Sequence, residues 1–97
     1  MHISVRFFTS LREIIEKKEE ELTFSKAETV TIRSVFEHLV RIHGKKFAEY
    51  LYDGKTGEVK GYLQLLVNGR NVSSSGGPDT KLCDGDILAI IPPVGGG

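Results

Sequence analysis

A single long helical pattern dominates the middle of this chain and limits the folds available to it. Thr31 is a residue type favoured at helix N-caps, and Gly44 is a natural stop. The apolar residues between them recur at helical spacing and are Ile32, Val35, Phe36, Leu39 and Ile42. Phe47, Tyr50 and Leu51 indicate one or two further turns. An apolar helical stripe needs an apolar sheet face to cover it, so an α+β protein is expected.

Segments with strand-like alternation lie on both sides of the helix. In the first of them Ile3, Val5 and Phe7 fall on one face, as in a strand with one buried side. Asn68-Gly69 is a strong signal for a two-residue hairpin turn. The expected strands lie at residues 2–8, 21–24, 62–68, 70–72 and 87–91.

A shorter helix is expected directly after the first strand. Ser10 and Glu13 have the spacing of a capping box, in which each side chain satisfies a free backbone N–H of the other residue. Leu11, Ile14 and Ile15 then supply a short apolar stripe. The serine- and glycine-rich stretch over residues 73–78 is typical of a loop.

The order of these elements predicts a mixed sheet of four or five strands with one main helix across it. The first and last strands can then lie side by side and parallel. Strand parity places Leu88 and Ile90 toward the core, and Ile87, Ala89 and Ile91 on the opposite face. We expect one domain over residues 1–91 and an extended, flexible tail over 92–97.

Charge and composition argue against several function classes. Thirteen basic residues balance thirteen acidic ones, so the chain has no electrostatic footprint for nucleic acid and no polybasic segment for a membrane surface. Its longest apolar run, residues 87–94, is far shorter than the ~20 residues that cross a bilayer. The first residues, MHISVRFF, contain no basic stretch followed by a long apolar one, so we expect no secretory signal. A single cysteine, Cys83, suits a reducing compartment, so we expect a cytoplasmic protein.

No set of residues has the spacing of a catalytic or metal site. His38 and His43 are five residues apart and so do not share a helical face as a metal pair would. Cys83 has an acidic neighbour, which makes a thiol a poorer nucleophile, and we interpret it as a packing residue. The acidic run over residues 19–21 is interpreted as a solvated edge. We therefore expect no bound cofactor, no metal and no enzymatic activity of the chain on its own.

The glycine-rich ending PPVGGG is the strongest functional candidate. Pro92 and Pro93 cannot continue a strand ladder, so they end the last strand and direct the chain away stiffly. Beyond them only Val94 carries a side chain, and Gly95-Gly96-Gly97 can pass through a narrow tunnel. A carboxylate at Gly97 could then attack the α-phosphate of ATP, and a side chain at Gly96 would obstruct that approach.

Three segments resemble the small subunit of molybdopterin synthase and its relatives, the ubiquitin-like sulfur carriers. They are VRFFTSLREII from Val5, VNGR from Val67, and KLCDGDILAIIPPVGGG from Lys81. The resemblance covers nearly the whole chain, and its most specific part is the DGD–strand–PPV–small–GG ending. Residues 53–72 look more like the archaeal-type branch, which includes small modifier proteins. The resemblance implies a β-grasp, or ubiquitin-like, fold.

The resemblance also implies a sequence of reactions at the tail. An E1-like enzyme adenylates Gly97 with ATP and magnesium, and a sulfur donor converts the adenylate to a thiocarboxylate. The tail then enters the large subunit of molybdopterin synthase and gives sulfur to a pyranopterin. Two other destinations are the lysines of target proteins and the sulfur acceptors of thiamine synthesis or tRNA thiolation. An interaction module with an inert tail is a further alternative.

Strand parity and the resemblance together predict an apolar docking face on the open side of the sheet. Parity leaves Phe8, Leu66 and Ile91 outside, and the family keeps apolar contact residues at the positions of Phe8 and Ile91. The residues that lead into the tunnel are expected to contact the partner as well, and they are Pro92, Pro93, Val94 and Gly95.

Overall fold

The computed structural model describes residues 1–93, which form a five-stranded sheet with helices against one face. The strands are β1 (His2–Phe7), β2 (Glu19–Thr23), β3 (Gln64–Val67), β4 (Arg70–Asn71) and β5 (Ile87–Ile91). The helices are α1 (Thr9–Ile15), α2 (Ile32–His43) and α3 (Lys45–Leu51), with a short 3-10 helix at Gly77–Asp79. The strand order is β2-β1-β5-β3-β4.

The first and last strands lie side by side at the centre of the sheet. β1 and β5 run parallel, with Val5 opposite Leu88 and Phe7 opposite Ile90. The pairs β1–β2, β3–β5 and β3–β4 are antiparallel. The predicted mixed sheet with parallel terminal strands is therefore confirmed, and this arrangement is the β-grasp architecture. The predicted boundary between a domain at 1–91 and a tail at 92–97 stays a prediction.

The core fills the space between the sheet and α2. Fully buried side chains from β1, β5 and α2 belong to one apolar cluster that includes Ile3, Val5, Phe7, Ile32, Val35, Phe36, Leu39, Leu88 and Ile90. The prediction that Ile42 continues this stripe is wrong, because its side chain is 49% exposed. Ile42 lies on the last turn of α2 and borders a surface depression shared with Ile14 and Lys46.

The ends of α2 follow the sequence closely. The Thr31 hydroxyl accepts a hydrogen bond from the backbone N–H of Ser34 at 3.2 Å, and the Ser34 hydroxyl accepts one from the Thr31 N–H. This reciprocal pair satisfies N–H groups that the first helical turn leaves free. Gly44 ends the helix with φ of 80°, a conformation that favours glycine.

The predicted capping box of the short helix is wrong. α1 begins at Thr9, so Ser10 lies inside the first turn and Phe8 takes the N-cap position without a side-chain hydrogen bond. The Ser10 hydroxyl lies 2.9 Å from the Tyr50 hydroxyl and so links α1 to α3. A long-range contact has replaced the local one that the spacing suggested.

Two other expectations are also corrected. Cys83 is exposed rather than packed, although its backbone N–H donates to the Asp86 carboxylate at 2.8 Å. The acidic run 19–21 is not uniformly solvated. It belongs to β2, which begins two residues earlier than predicted. Glu20 is partly buried and lies 2.7 Å from Nε2 of His43.

Candidate functional site

The open face of the sheet carries an apolar strip along β5 and β3. Ile87, Ala89 and Ile91 are half-buried, whereas the alternate residues of β5 are fully buried. Leu66 of β3 is also half-buried and lies opposite Ala89 in the antiparallel register. The structure therefore places Leu66 and Ile91 on the open face, as strand parity predicts.

Phe8 stands where β1 turns into α1. The pairing of Phe7 with Ile90 brings the end of β1 beside the end of β5. Phe8 is the next residue after β1, so it lies at this end of the two strands. The Arg12 guanidinium lies 5.8 Å from the centre of the Phe8 ring, and Arg12 Nε donates to the Phe7 carbonyl at 3.2 Å. These contacts favour one position of the half-buried ring.

The apolar strip has different borders on its two sides. Toward β2, Arg6 lies opposite Glu19, and Ser4 lies opposite Glu21. Toward β4, the Asn71 side-chain amide donates to the Gln64 side-chain carbonyl. One border is therefore charged and the other is neutral.

The tail leaves the sheet at the end of β5. Ile91 is the last residue of the strand, Pro92 is buried and Pro93 is exposed. The predicted residues Val94, Gly95, Gly96 and Gly97 lie outside the described residues, and their roles stay predictions. The chain therefore leaves β5 at the same end of the sheet as Phe8.

The opposite end of β5 is anchored through a turn at residues 84–86. The Asp84 carboxylate accepts a hydrogen bond from the backbone N–H of His2 at 2.6 Å, which lowers the pKa of Asp84 below its ordinary value. Asn68 donates to the Asp86 carboxylate at 2.9 Å and accepts from the backbone N–H of Ile87 at the same distance. These bonds hold β5 between β1 and β3.

The sequence patterns do not single out Tyr62 as a functional residue. In the structure its side chain is 56% exposed just before β3. The residue was noted only as the start of an alternating strand. An aromatic side chain beside a turn was the available signal, but its exposure depends on where the strand begins.

Within residues 1–93, no group of three or more His, Cys, Asp or Glu side chains is placed to hold a metal ion. No helix in that part of the chain is long and apolar enough to cross a membrane. The geometry instead presents an apolar face next to the point where the chain leaves β5.

Two curated relatives align with most of this chain. The small archaeal modifier protein 3 of Haloferax volcanii is 33% identical over 103 residues, with full coverage of both proteins. An Archaeoglobus fulgidus protein, described as a candidate sulfur carrier, is 35% identical over 71 residues, which cover 73% of this chain and 78% of that protein.

Solved structures agree with the fold. A Haloferax volcanii protein solved in solution is 33% identical, with a TM-score of 0.81, and the match covers 100% of this chain and 87% of that one. A Pyrococcus furiosus protein, described as a candidate molybdopterin converting factor subunit 1, is 28% identical with a TM-score of 0.70. That match covers 97% of this chain and 99% of the other.

The resemblance seen in the opening and closing segments extends along the chain. The ThiS family matches residues 5–97, a span that includes the second half of β1, the other four strands, the apolar strip and the glycine-rich ending. The chain therefore belongs to the ThiS family and has the β-grasp fold of its ubiquitin-like sulfur-carrier and modifier relatives.

Proposed function

We propose that this chain is a sulfur carrier that is activated at the carboxylate of Gly97. The observation that carries the proposal is the family match, which runs through the glycine-rich ending. The apolar strip at the exit of β5 supports it, because a protein that receives the tail needs a surface on which to dock. The catalytic groups belong to the partners in this proposal.

The proposed chemistry begins in an E1-like enzyme. A Gly97 carboxylate oxygen attacks the α-phosphate of ATP, pyrophosphate leaves with magnesium, and an acyl-adenylate forms. A sulfur donor then attacks the acyl carbon and AMP departs. With hydrosulfide as the donor, the attacking sulfur stays on the acyl carbon and loses its proton, so the product is a thiocarboxylate at Gly97. Glycines at 95 and 96 give clearance for each approach.

We propose a pterin precursor as the acceptor of this sulfur, with the chain acting as the small subunit of molybdopterin synthase. The VRFF opening and the PPVGGG ending support this assignment. The likeness to the Pyrococcus furiosus protein supports it too, since that match covers almost the whole of both chains. The large synthase subunit would then hold the tail during sulfur transfer.

A second destination has its own support. The match to the small archaeal modifier protein 3 covers the full length of both proteins. In this alternative the activated Gly97 is joined to lysine side chains of target proteins. Both destinations use the same adenylate, and one carrier can serve both.

The shared activation step is tested with Gly96→Val and with deletion of Gly96-Gly97. Chain 1–97 is incubated with the E1-like enzyme of its own organism, ATP, magnesium and a sulfur donor. We expect the unaltered chain to gain the mass of an oxygen-to-sulfur exchange, and both variants to gain none while their melting temperatures stay unchanged. An unaltered chain that forms neither adenylate nor thiocarboxylate would favour the inert interaction module instead.

The acceptor is tested by purification from the native cell. A stoichiometric large-subunit partner would support sulfur transfer to a pterin. A series of lysine-linked conjugates that disappears in the Gly96-Gly97 deletion would support protein modification.

A further inference from the structure

Tyr62 is a large aromatic side chain left in solvent beside the exit of the tail. Among residues 1–93, Ile42 and Tyr62 are the two large apolar side chains that are exposed. They lie in different layers of the fold, because Ile42 is on α2 whereas Tyr62 immediately precedes the buried Leu63 and then β3.

The register of the sheet places Tyr62 near the start of the tail. Gln64, the first residue of β3, lies opposite Ile91, the last residue of β5. Residues 61–62 form the turn that leads into β3, so Tyr62 lies two residues before Gln64, at the end of the sheet where β5 finishes. Tyr62 is therefore at the same end of the sheet as Phe8 and the exposed Pro93.

The segment that carries Tyr62 is held firmly. The Lys60 backbone N–H donates to the Leu51 carbonyl at 2.9 Å, and the Leu63 N–H donates to the Lys60 carbonyl at 3.2 Å. The Lys60 ammonium also donates to the Glu49 carbonyl at 2.9 Å. Leu63 is buried in the core. A side chain on such a support loses little freedom when a partner covers it.

In the proposed function the reacting carboxylate belongs to Gly97, so the partner must come close to the end of β5. Four residues, 94–97, follow Pro93, and four extended residues span at most about 14 Å. An enzyme that reacts with the Gly97 carboxylate must therefore cover the end of the sheet where β5 finishes. Tyr62, Phe8 and Ile91 lie at that end.

We propose that Tyr62 is an anchor for the E1-like adenylating enzyme and packs against an apolar rim at the mouth of that enzyme's tunnel. An apolar rim is inferred because the exposed Tyr62 ring lies at the same end of the sheet as Ile91, the last residue of the apolar strip. Aromatic residues of this kind often dominate the binding energy of an interface. The inference rests on the proposed activation at Gly97 and assigns a new contact to it.

The test compares Tyr62→Ala, Tyr62→Phe and the matched control Ile42→Ala. Affinity for the E1-like enzyme is measured by calorimetry, and adenylation is followed by pyrophosphate release. We expect Tyr62→Ala to bind about tenfold more weakly, with a raised KM, an unchanged kcat and an unchanged melting temperature. Tyr62→Phe and Ile42→Ala should bind like the unaltered chain.

Two results would overturn the anchor. Equal affinities for Tyr62→Ala and Ile42→Ala would show that the ring makes no contact that matters. Equal weakening in Tyr62→Phe and Tyr62→Ala would show that the hydroxyl, rather than apolar packing, carries the contact. Either result leaves the proposed activation standing as long as the unaltered chain is adenylated, so the two failures can be told apart.

Discussion

Asp84 ties the turn before β5 to the beginning of β1 through one short hydrogen bond. The His2 backbone N–H donates to its carboxylate at 2.6 Å, and Gly85 N–H donates to the His2 carbonyl at 2.8 Å. The bond favours the charged carboxylate and so lowers the pKa of Asp84. A contact between two residues therefore helps to align the two central strands.

We predict that Asp84→Asn makes the stability of the protein less dependent on acid pH. Since the folded-state pKa of Asp84 lies below its unfolded value, its contribution is present above the unfolded pKa and is lost as pH falls through the folded pKa. Urea unfolding between pH 7 and pH 2 measures the effect.

The matched control for that measurement is Asp53→Asn, because Asp53 accepts local hydrogen bonds within its own turn. An equal acid dependence of stability in the Asp84→Asn variant and the unaltered chain would contradict the assigned contact.

His43 and Glu20 form another pair that sequence reasoning treated separately. His43 was considered for a metal pair and Glu20 for a solvated edge, yet their side chains lie 2.7 Å apart and are mostly buried. The two residues are 23 positions apart in the chain. Only the packing of α2 against the β2 edge makes them neighbours.

At the scale of elements, α2 and α1 differ in how they begin. The α2 N-cap is local, since Thr31 and Ser34 bond each other three residues apart. In α1, the serine that resembles a cap bonds Tyr50 instead. The same residue type thus has two roles, and the position of the first helical residue decides between them.

We predict that Thr31→Ala destabilises the fold by about 1 kcal/mol, because it leaves the Ser34 backbone N–H without its acceptor. Ser10→Ala should cost less than about 0.5 kcal/mol, since its hydroxyl makes an exposed contact. Chemical denaturation of both variants measures the difference. A larger loss of stability in Ser10→Ala than in Thr31→Ala would contradict this assignment of the two hydroxyls.

At the scale of the whole molecule, the proposed docking face forms only after three distant segments have come together. Phe8 follows β1, Leu66 lies on β3, and Ile91 ends β5. β1 and β5 are adjacent although they are the first and last strands, so the face depends on the complete sheet. The chain leaves β5 at the end of the sheet where Phe8 and Ile91 lie.

We predict that Phe8→Ala and Ile91→Asp weaken binding of the E1-like enzyme more than they lower stability, because both residues are half-buried rather than part of the fully buried core. Leu88→Ala on the same strand should instead cost about 2–5 kcal/mol of stability, because Leu88 is fully buried. Thermal unfolding and calorimetric titration of each variant separate the two effects. A large drop in melting temperature at unchanged affinity would make Phe8 or Ile91 a core residue.

Most of the local geometry follows from residues that lie close together in the chain. The alternation of Ile3, Val5 and Phe7, the Thr31 cap, the Gly44 stop and the Asn68-Gly69 turn are all found as predicted. Each depends on residues a few positions apart, so periodicity and turn chemistry suffice to find it. Strand parity along β5 belongs to the same class, and it allowed the apolar strip to be predicted.

The tertiary structure decided which of those local patterns meet, and which side chains remain uncovered. Ile42 has helical spacing but lies beyond the cover of the sheet, and Cys83 is apolar enough to pack but faces solvent. Tyr62 acquires its position beside the tail only because β3 pairs with β5. Burial depends on neighbours that are distant in sequence, and no pattern within one segment contains that information.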